Sequence, residues 1–379
     1  MRRKGLILVF MLAAVLVAGC RIEPPLHLKQ AVKVVVKVLW RAEIYPDGIK
    51  PSGVTLYFFR NGEYYNSQTT SQVDSCAVHL EPGKYRIFMI SQSPDEFAYM
   101  DFHDMENFDL ASVSVMETKS KWYTRADDEF LINNPEQMTV GVSDEFEITA
   151  EMVEQYRYYS SEEGGWKSWV TKPDLKPDTK ADTKADTIKD SEQIDEDTWV
   201  TYYTVRIPIY PRNIVSQYWV TIYSEYADVL QSVRCSTTGM ARSFYLTQDI
   251  TGPDEGTQFV TEWKLTMDDN VSRVGHIDGK VTTFGFPNGE MPGPDRDPTL
   301  NVSTLLIDNK TVQDYVFKVG NLITAEEAPD GYRALYRLIL GSEAAPVIHP
   351  PDIEKPEDAQ GLDALVNEWD SGDEVEVDM

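Results

Sequence analysis

The sequence predicts an all-β protein built from two tandem β-sandwiches, and three observations carry that expectation. Apolar residues recur with a period of two in segment after segment, and Gly, Pro, Asn and Asp gather between those segments. Sustained helical periodicity is scarce. A period of two sends alternate side chains to opposite faces of a strand, so that one face is buried and the other wetted.

The first element is a leader. A basic tip (Arg2, Arg3, Lys4) precedes the 13-residue apolar run 6–18, and Leu16-Val17-Ala18-Gly19-Cys20 follows. That run suits a signal peptide and falls short of the roughly 20 residues a membrane-spanning helix needs. Small residues ahead of a cysteine fit the narrow site of a lipoprotein signal peptidase. Residues 1–19 are therefore expected to be removed, with Cys20 as the lipid-attachment residue and 20–27 as the tether. An uncleaved N-terminal anchor would also tether the chain. Either way the location is a membrane surface outside the cytoplasm, taken as the outer membrane.

The strands follow in order. From 32 to 40 one face carries Val32, Val34, Val36, Val38 and Trp40, while Lys33 and Lys37 point away. Val54, Leu56 and Phe58 repeat the pattern, as do Tyr85, Ile87 and Met89. Between 76–80 and 84–90, Leu80-Glu81-Pro82-Gly83-Lys84 is expected to form a type II turn, with Pro setting φ at the first corner and Gly supplying the positive φ at the second. Further runs lie at 139–149, 201–209, 218–223, 280–286 and 312–319.

Residues 172–187 break the pattern with four tetrads, KPDL, KPDT, KADT and KADT. Each carries one Lys and one Asp and offers almost nothing to bury, which reads as a solvated linker or loop at 171–197. The expected domains are then 28–170 and 198–379. A long hairpin insertion within one domain is the other arrangement the repeat allows. The acidic C-terminus, with Trp369 and with Val375, Val377 and Met379 alternating against Glu374, Glu376 and Asp378, favours a final edge strand over a disordered tail.

Composition narrows the function. The chain has 35 basic and 62 acidic residues, and the leader takes three basic ones away, leaving 32 against 62, or −30. Nucleic-acid binding depends on clustered Lys and Arg, so no nucleic-acid partner is expected. Anionic headgroups would repel such a chain, which leaves anchoring to the acyl chains. After Cys20 only Cys76 and Cys235 remain, in different expected domains, and they read as two buried thiols rather than a disulfide.

Catalytic patterns are missing. His27, His79, His103, His276 and His349 are scattered without helical metal-pair spacing. The acidic segment around His103 could hold a cation, but acidic loops are common in so acidic a chain. Residues 275–280 have a spacing one short of a phosphate loop, with Val281 where Ser or Thr should hold magnesium, and read better as a strand with a turn before it. Asp268-Asp269-Asn270 and Asp295-Arg296-Asp297 are turn chemistry before they are calcium ligands. No enzyme, metal or cofactor is expected. The 8 Trp, 20 Tyr and 14 Phe serve core packing before sugar stacking.

Several segments, taken in order, resemble a group of Bacteroidota lipoproteins, a domain of unknown function related to fimbrillin-like proteins. They are Val38-Leu39-Trp40, Gly53-Val54-Thr55-Leu56-Tyr57-Phe58, Leu80-Glu81-Pro82-Gly83-Lys84-Tyr85 and Asp144-Glu145-Phe146-Glu147-Ile148-Thr149. Thr238-Gly239-Met240-Ala241-Arg242-Ser243, Thr282-Thr283-Phe284-Gly285, Trp369 and 374–379 complete the set. The resemblance implies transthyretin-like sandwiches, surface display through the lipid, and fimbria-like filaments with other fimbrillin-like subunits as partners. In such filaments an Arg-specific protease removes a subunit's first strand and a neighbour's strand replaces it. Residues 32–40 would be that strand here, and Arg41 the candidate cleavage residue. A stand-alone surface lipoprotein that binds glycan or a host ligand is the alternative, and the tetrad insertion departs from the family norm.

Overall fold

The computed structural model describes residues 31–41, 44, 50–119, 130–154, 185–195, 198–269, 271–293 and 296–353. The leader, Cys20, most of the tetrad repeat, Trp369 and the 374–379 segment lie outside these residues. The all-β expectation is borne out. The described chain is a succession of strands with one short α-helix, Ala150–Glu154, and four single 3-10 turns.

Two sheets enclose the first core. One has the order Asp186–Asp195, Thr198–Ile209, Val32–Val38, Ser75–Leu80. The other runs Arg212–Asn213, Thr139–Val142, Gly83–Ser91, Val54–Arg60, Glu63–Thr70, with Phe146–Ile148 also against Gly83–Ser91. Between them Val32, Val34, Val36 and Val38 pack with Val54, Leu56, Phe58, Tyr85, Ile87, Met89, Val205, Ile207 and Ile209. The two layers come very close at one point. A Cβ on Gly141 would fall 2.4 Å from Ile209 Cγ2, so only glycine fits there.

The second sheet is buried on both sides. Tyr57, Phe59, Phe88 and Ile90 alternate with the residues above and face a second core shared with a small sheet, Met100–His103, Ser112–Val115, Ser243–Tyr245, Ile250–Thr251. Alternation predicted a wetted outer face for Val54–Arg60. Every residue of that strand except Arg60 is buried, because its second face is also apolar and found a second layer to cover it.

The third core is enclosed by one continuous sheet folded on itself. Its order is Val312–Lys318, Thr299–Leu306, Leu230–Ala241, Glu255–Asp269, Val274–Thr283, Ser216–Ser224, Leu335–Leu340, Ile323–Glu326. The 15-residue strand Glu255–Asp269 makes the fold. Its first part pairs with Leu230–Ala241 up to Val260, and its second part with Val274–Thr283 from Thr261 onward. The register slips between Thr261 and Lys264, and Glu262 there has φ +54°. A bulge lets one strand belong to both layers of a sandwich.

These pairings correct the domain boundaries read from sequence. Thr198–Ile209 was expected to open the second domain at 198, and 171–197 to be a linker. Instead Asp186–Asp195 and Thr198–Ile209 form an antiparallel hairpin in the first sandwich, and the second of these strands also lies parallel to Val32–Val38. The reason is burial: Val205, Ile207 and Ile209 are packed in one core with the valines of Val32–Val38. The last residues of the tetrads, Asp186 and Thr187, lie in this hairpin, and 172–184 fall outside the described residues.

Candidate functional site: the slot of the first strand

Val32–Val38 is an inner strand of its sheet, although it is the first strand among the described residues. Six residue pairs join it to Thr198–Ile209 in parallel, and six join it to Ser75–Leu80 antiparallel. Leu39 N donates to Ile209 O at 2.8 Å and Val38 N to Asp74 O at 3.0 Å, extending the pairing past the strand end. Four valines point inward and are nearly inaccessible. Each contributes about 1.5–3 kcal/mol of burial, an upper bound because unfolded chains already hide some surface. The outer face is thinly built. Lys33 is exposed between His79 and Thr204, and Val35 stands between Ala77 and Arg206.

Beyond the strand, Trp40 Nε1 donates to Val73 O at 3.1 Å. Arg41 is exposed, and its carbonyl accepts from Ile44 N at 3.1 Å. The slot that the strand occupies is floored by Leu56, Phe58, Ile87 and Met89 of the opposite sheet. Cys76 stands directly across from Val36, with only 3% of its surface accessible, and burial pushes its thiol pKa up. Cys235 is the other free thiol, enclosed in the third core with its pKa likewise raised by burial. The expectation of two buried, unlinked thiols agrees with this geometry.

The crossover at Leu80-Glu81-Pro82-Gly83-Lys84 closes one end of the slot. It does not form the expected type II turn. Gly83 has φ +157°, far more extended than the roughly +80° of that turn, because the segment carries the chain from one sheet to the other. Arg60 holds it there. Its Nη1 pairs with Glu81 Oε2 at 2.9 Å and its Nη2 donates to Pro82 O at 2.5 Å. Tyr85 Oη donates to Glu81 O at 2.9 Å, and burial leads the causes that push its phenol up to about 12. A Cβ on Gly83 would lie 2.8 Å from Arg60 Nε, so the glycine makes room for the clamp. No sequence signal pointed to Arg60.

The other sequence candidates resolve into packing and turns. His103 Nε2 lies 2.7 Å from Ser114 Oγ, in the sheet Met100–His103 shares with Ser112–Val115. Residues 275–280 lie within the strand Val274–Thr283, as the sequence reading preferred. There His276 stands between Asp268, 2.8 Å from Nδ1, and Asp278, 3.3 Å from Nε2. A cleft of about 290 Å³ opens beside Thr238, Glu255, Phe286, Glu290, Arg296 and Asp297. Arg296 lies 4.0 Å from Glu255 and Lys318 3.4 Å from Asp297, and the Phe286 ring is buried. Nothing there offers a sugar an open aromatic face.

The architecture defines the class: a β-sandwich protein in which the first of the described strands is an inner element of its sheet. The chain belongs to the family described as a domain of unknown function, DUF5119, whose model matches residues 26–261. This bears out the resemblance read from the sequence. The match spans the whole first sandwich and ends where Glu255–Asp269 changes partner. Among solved structures, a candidate adhesin from Bacteroides ovatus aligns with TM-score 0.50 and 14% identity, covering 86% of this chain and 94% of that one. The fimbrial anchor protein Mfa2 from Porphyromonas gingivalis aligns with TM-score 0.41 and 12% identity over 82% and 90% of the two chains. A candidate adhesin from Bacteroides thetaiotaomicron gives 0.40 and 10% over 77% and 82%. The first of these shows a shared fold. None of the curated proteins compared with the chain matches it.

Proposed function

We propose that this chain is a fimbria-associated protein of the bacterial cell surface, delivered to the outer membrane by a lipid on Cys20. Its first strand is a removable insert. Cleavage after Arg41 frees residues 32–40, and the slot then takes a strand from another fimbrillin-like subunit. Uncut, the same chain stays tethered and serves as an anchor.

The observation that carries this reading is the position of Val32–Val38. An inner strand that precedes every other described strand is disconnected from the rest of the sandwich by one cut. Its departure leaves two open strand edges and an apolar floor, which is the surface strand addition needs. Arg41 is exposed at the point where that cut would fall. The fold shared with the Bacteroides ovatus candidate adhesin, and membership of DUF5119, support a surface role.

N-terminal sequencing of the protein from two cell fractions tests the proposal. Chains in sheared filaments should begin at Ala42, and chains extracted from the membrane at lipidated Cys20. Filament-bound chains that still carry 32–40 would rule out strand exchange at this slot.

A further inference from the structure

One edge of the sheet around the third core is Val312–Lys318, and it is unlike the other sheet edges among the described residues. Arg212–Asn213 and Ile250–Thr251 have two residues each, and Met100–His103 and Ile323–Glu326 four. Asp186–Asp195 carries four acidic residues against one Lys, Glu63–Thr70 is polar, and Ser75–Leu80 exposes Ser75, Ala77 and His79. Short length and outward charge keep strand edges from pairing with other chains. Val312–Lys318 has seven residues, no proline and no register slip against its neighbour. Its outward residues are Val312, Asp314, Val316 and Lys318, and the two valines are 56% and 68% exposed. Tyr315 and Phe317 point the other way, stacked on each other with centroids 6.2 Å apart.

We propose that this edge pairs antiparallel with the same edge of a second copy of the chain, about a two-fold axis through Val316. Paired residues share a face, so the axis of such a pairing passes through a residue. With the axis on Val316, that residue meets its own copy, Asp314 meets Lys318 of the second copy in both directions, and Tyr315 meets Phe317. With the axis on Tyr315, Asp314 would face Val316 and Lys318 would face Val312. With it on Phe317, Asp314 would face Gly320. Only the Val316 register sets each charge against its opposite, the arrangement that stabilises a cross-strand pair. The side chains are in reach. Asp314 is exposed, with one carboxylate oxygen accepting from Ser303 Oγ of the neighbouring strand at 2.5 Å, and Lys318 is 79% exposed despite lying 3.4 Å from Asp297. This joint is separate from the first-strand slot, so it would connect copies whether or not that strand has been exchanged.

Cysteine scanning on intact cells tests it. The full-length chain carrying Val316→Cys, treated with a mild oxidant, should run as a disulfide-linked dimer on a non-reducing gel. Residues facing each other across an antiparallel pair have the Cα separation a disulfide accepts. Val312→Cys, whose opposite is Gly320, should give roughly tenfold less dimer. Adding Asp314→Lys to Val316→Cys should abolish the dimer, and adding Lys318→Asp as well should restore it. Equal yields at 312 and 316, no dimer at either, or a loss that the charge swap fails to restore would each overturn the proposal. So would cross-linking seen only when the chain is ended at Ile353, which would assign the edge to residues 354–379 instead.

Discussion

Val32–Val38 and Val312–Lys318 are both seven-residue strands with alternating side chains, and the fold treats them oppositely. The first is bonded along both edges, and its valines fill a core. The second is bonded along one edge, and its valines face solvent. Alternation makes a strand, but the neighbours decide what the strand is worth. The inner strand contributes a large share of one core. The edge strand contributes little to its own fold and has a free edge to offer a partner.

The largest effect that separates them is a buried charge. Val36→Asp places a carboxylate against Cys76 and Ile207 and should cost about 3 kcal/mol or more, unfolding the first sandwich in a urea titration. Val316→Asp should stay within about 0.5 kcal/mol in the same titration, since its site is exposed. Equal losses would mean that the edge strand packs on something in the folded chain.

Alkaline pH probes the sheet buried on both faces. Tyr57 and Tyr85 stand on opposite faces of the doubly buried sheet, and burial leads the causes that push each phenol from 10.0 up to about 12. A raised folded pKa means the unfolded chain loses its proton first. Their stabilising contribution is therefore complete below pH 10 and lost as pH climbs toward 12. Tyrosinate absorbance should appear in two phases, exposed phenols first and these two, with the buried Tyr218 of the third core, only with unfolding. A single phase centred near pH 10 would contradict the double burial.

A smaller loss is expected at the crossover. Arg60→Ala removes the pair with Glu81 and the bond to Pro82 O, and should cost about 1–2 kcal/mol in denaturant stability. Arg60→Lys should recover only part of it, because lysine cannot reach both acceptors with a planar fork.

Much of this architecture was legible from the chain. The inward face of the first strand, the later strands and the pair of free thiols follow from period-two valines and isolated cysteines. What could not be read has a common cause. Thr198–Ile209 chooses Val32–Val38 as its partner across about 170 residues of chain, and no local pattern encodes a parallel partner so distant. Tyr57 and Phe59 look like outward residues until a second layer covers them. The fold of the long strand at Glu262 depends on a positive φ at a non-glycine residue, which no sequence cue announced. The slot itself was legible as a strand followed by Arg41. Its two bonded edges, the Arg60 clamp and Cys76 opposite Val36 appear only in three dimensions.

Cys76 gives the most direct measurement. A thiol opposite Val36 is closed off while the first strand is in place, and Cys235 in the third core is an internal reference. The intact chain should label slowly at both. After digestion with an Arg-specific protease, Cys76 should label roughly a hundredfold faster or more, with Cys235 unchanged and an Arg41→Lys chain still protected. If Cys76 stays protected in chains cut after Arg41, the strand does not leave, and the slot is a fixed part of the fold.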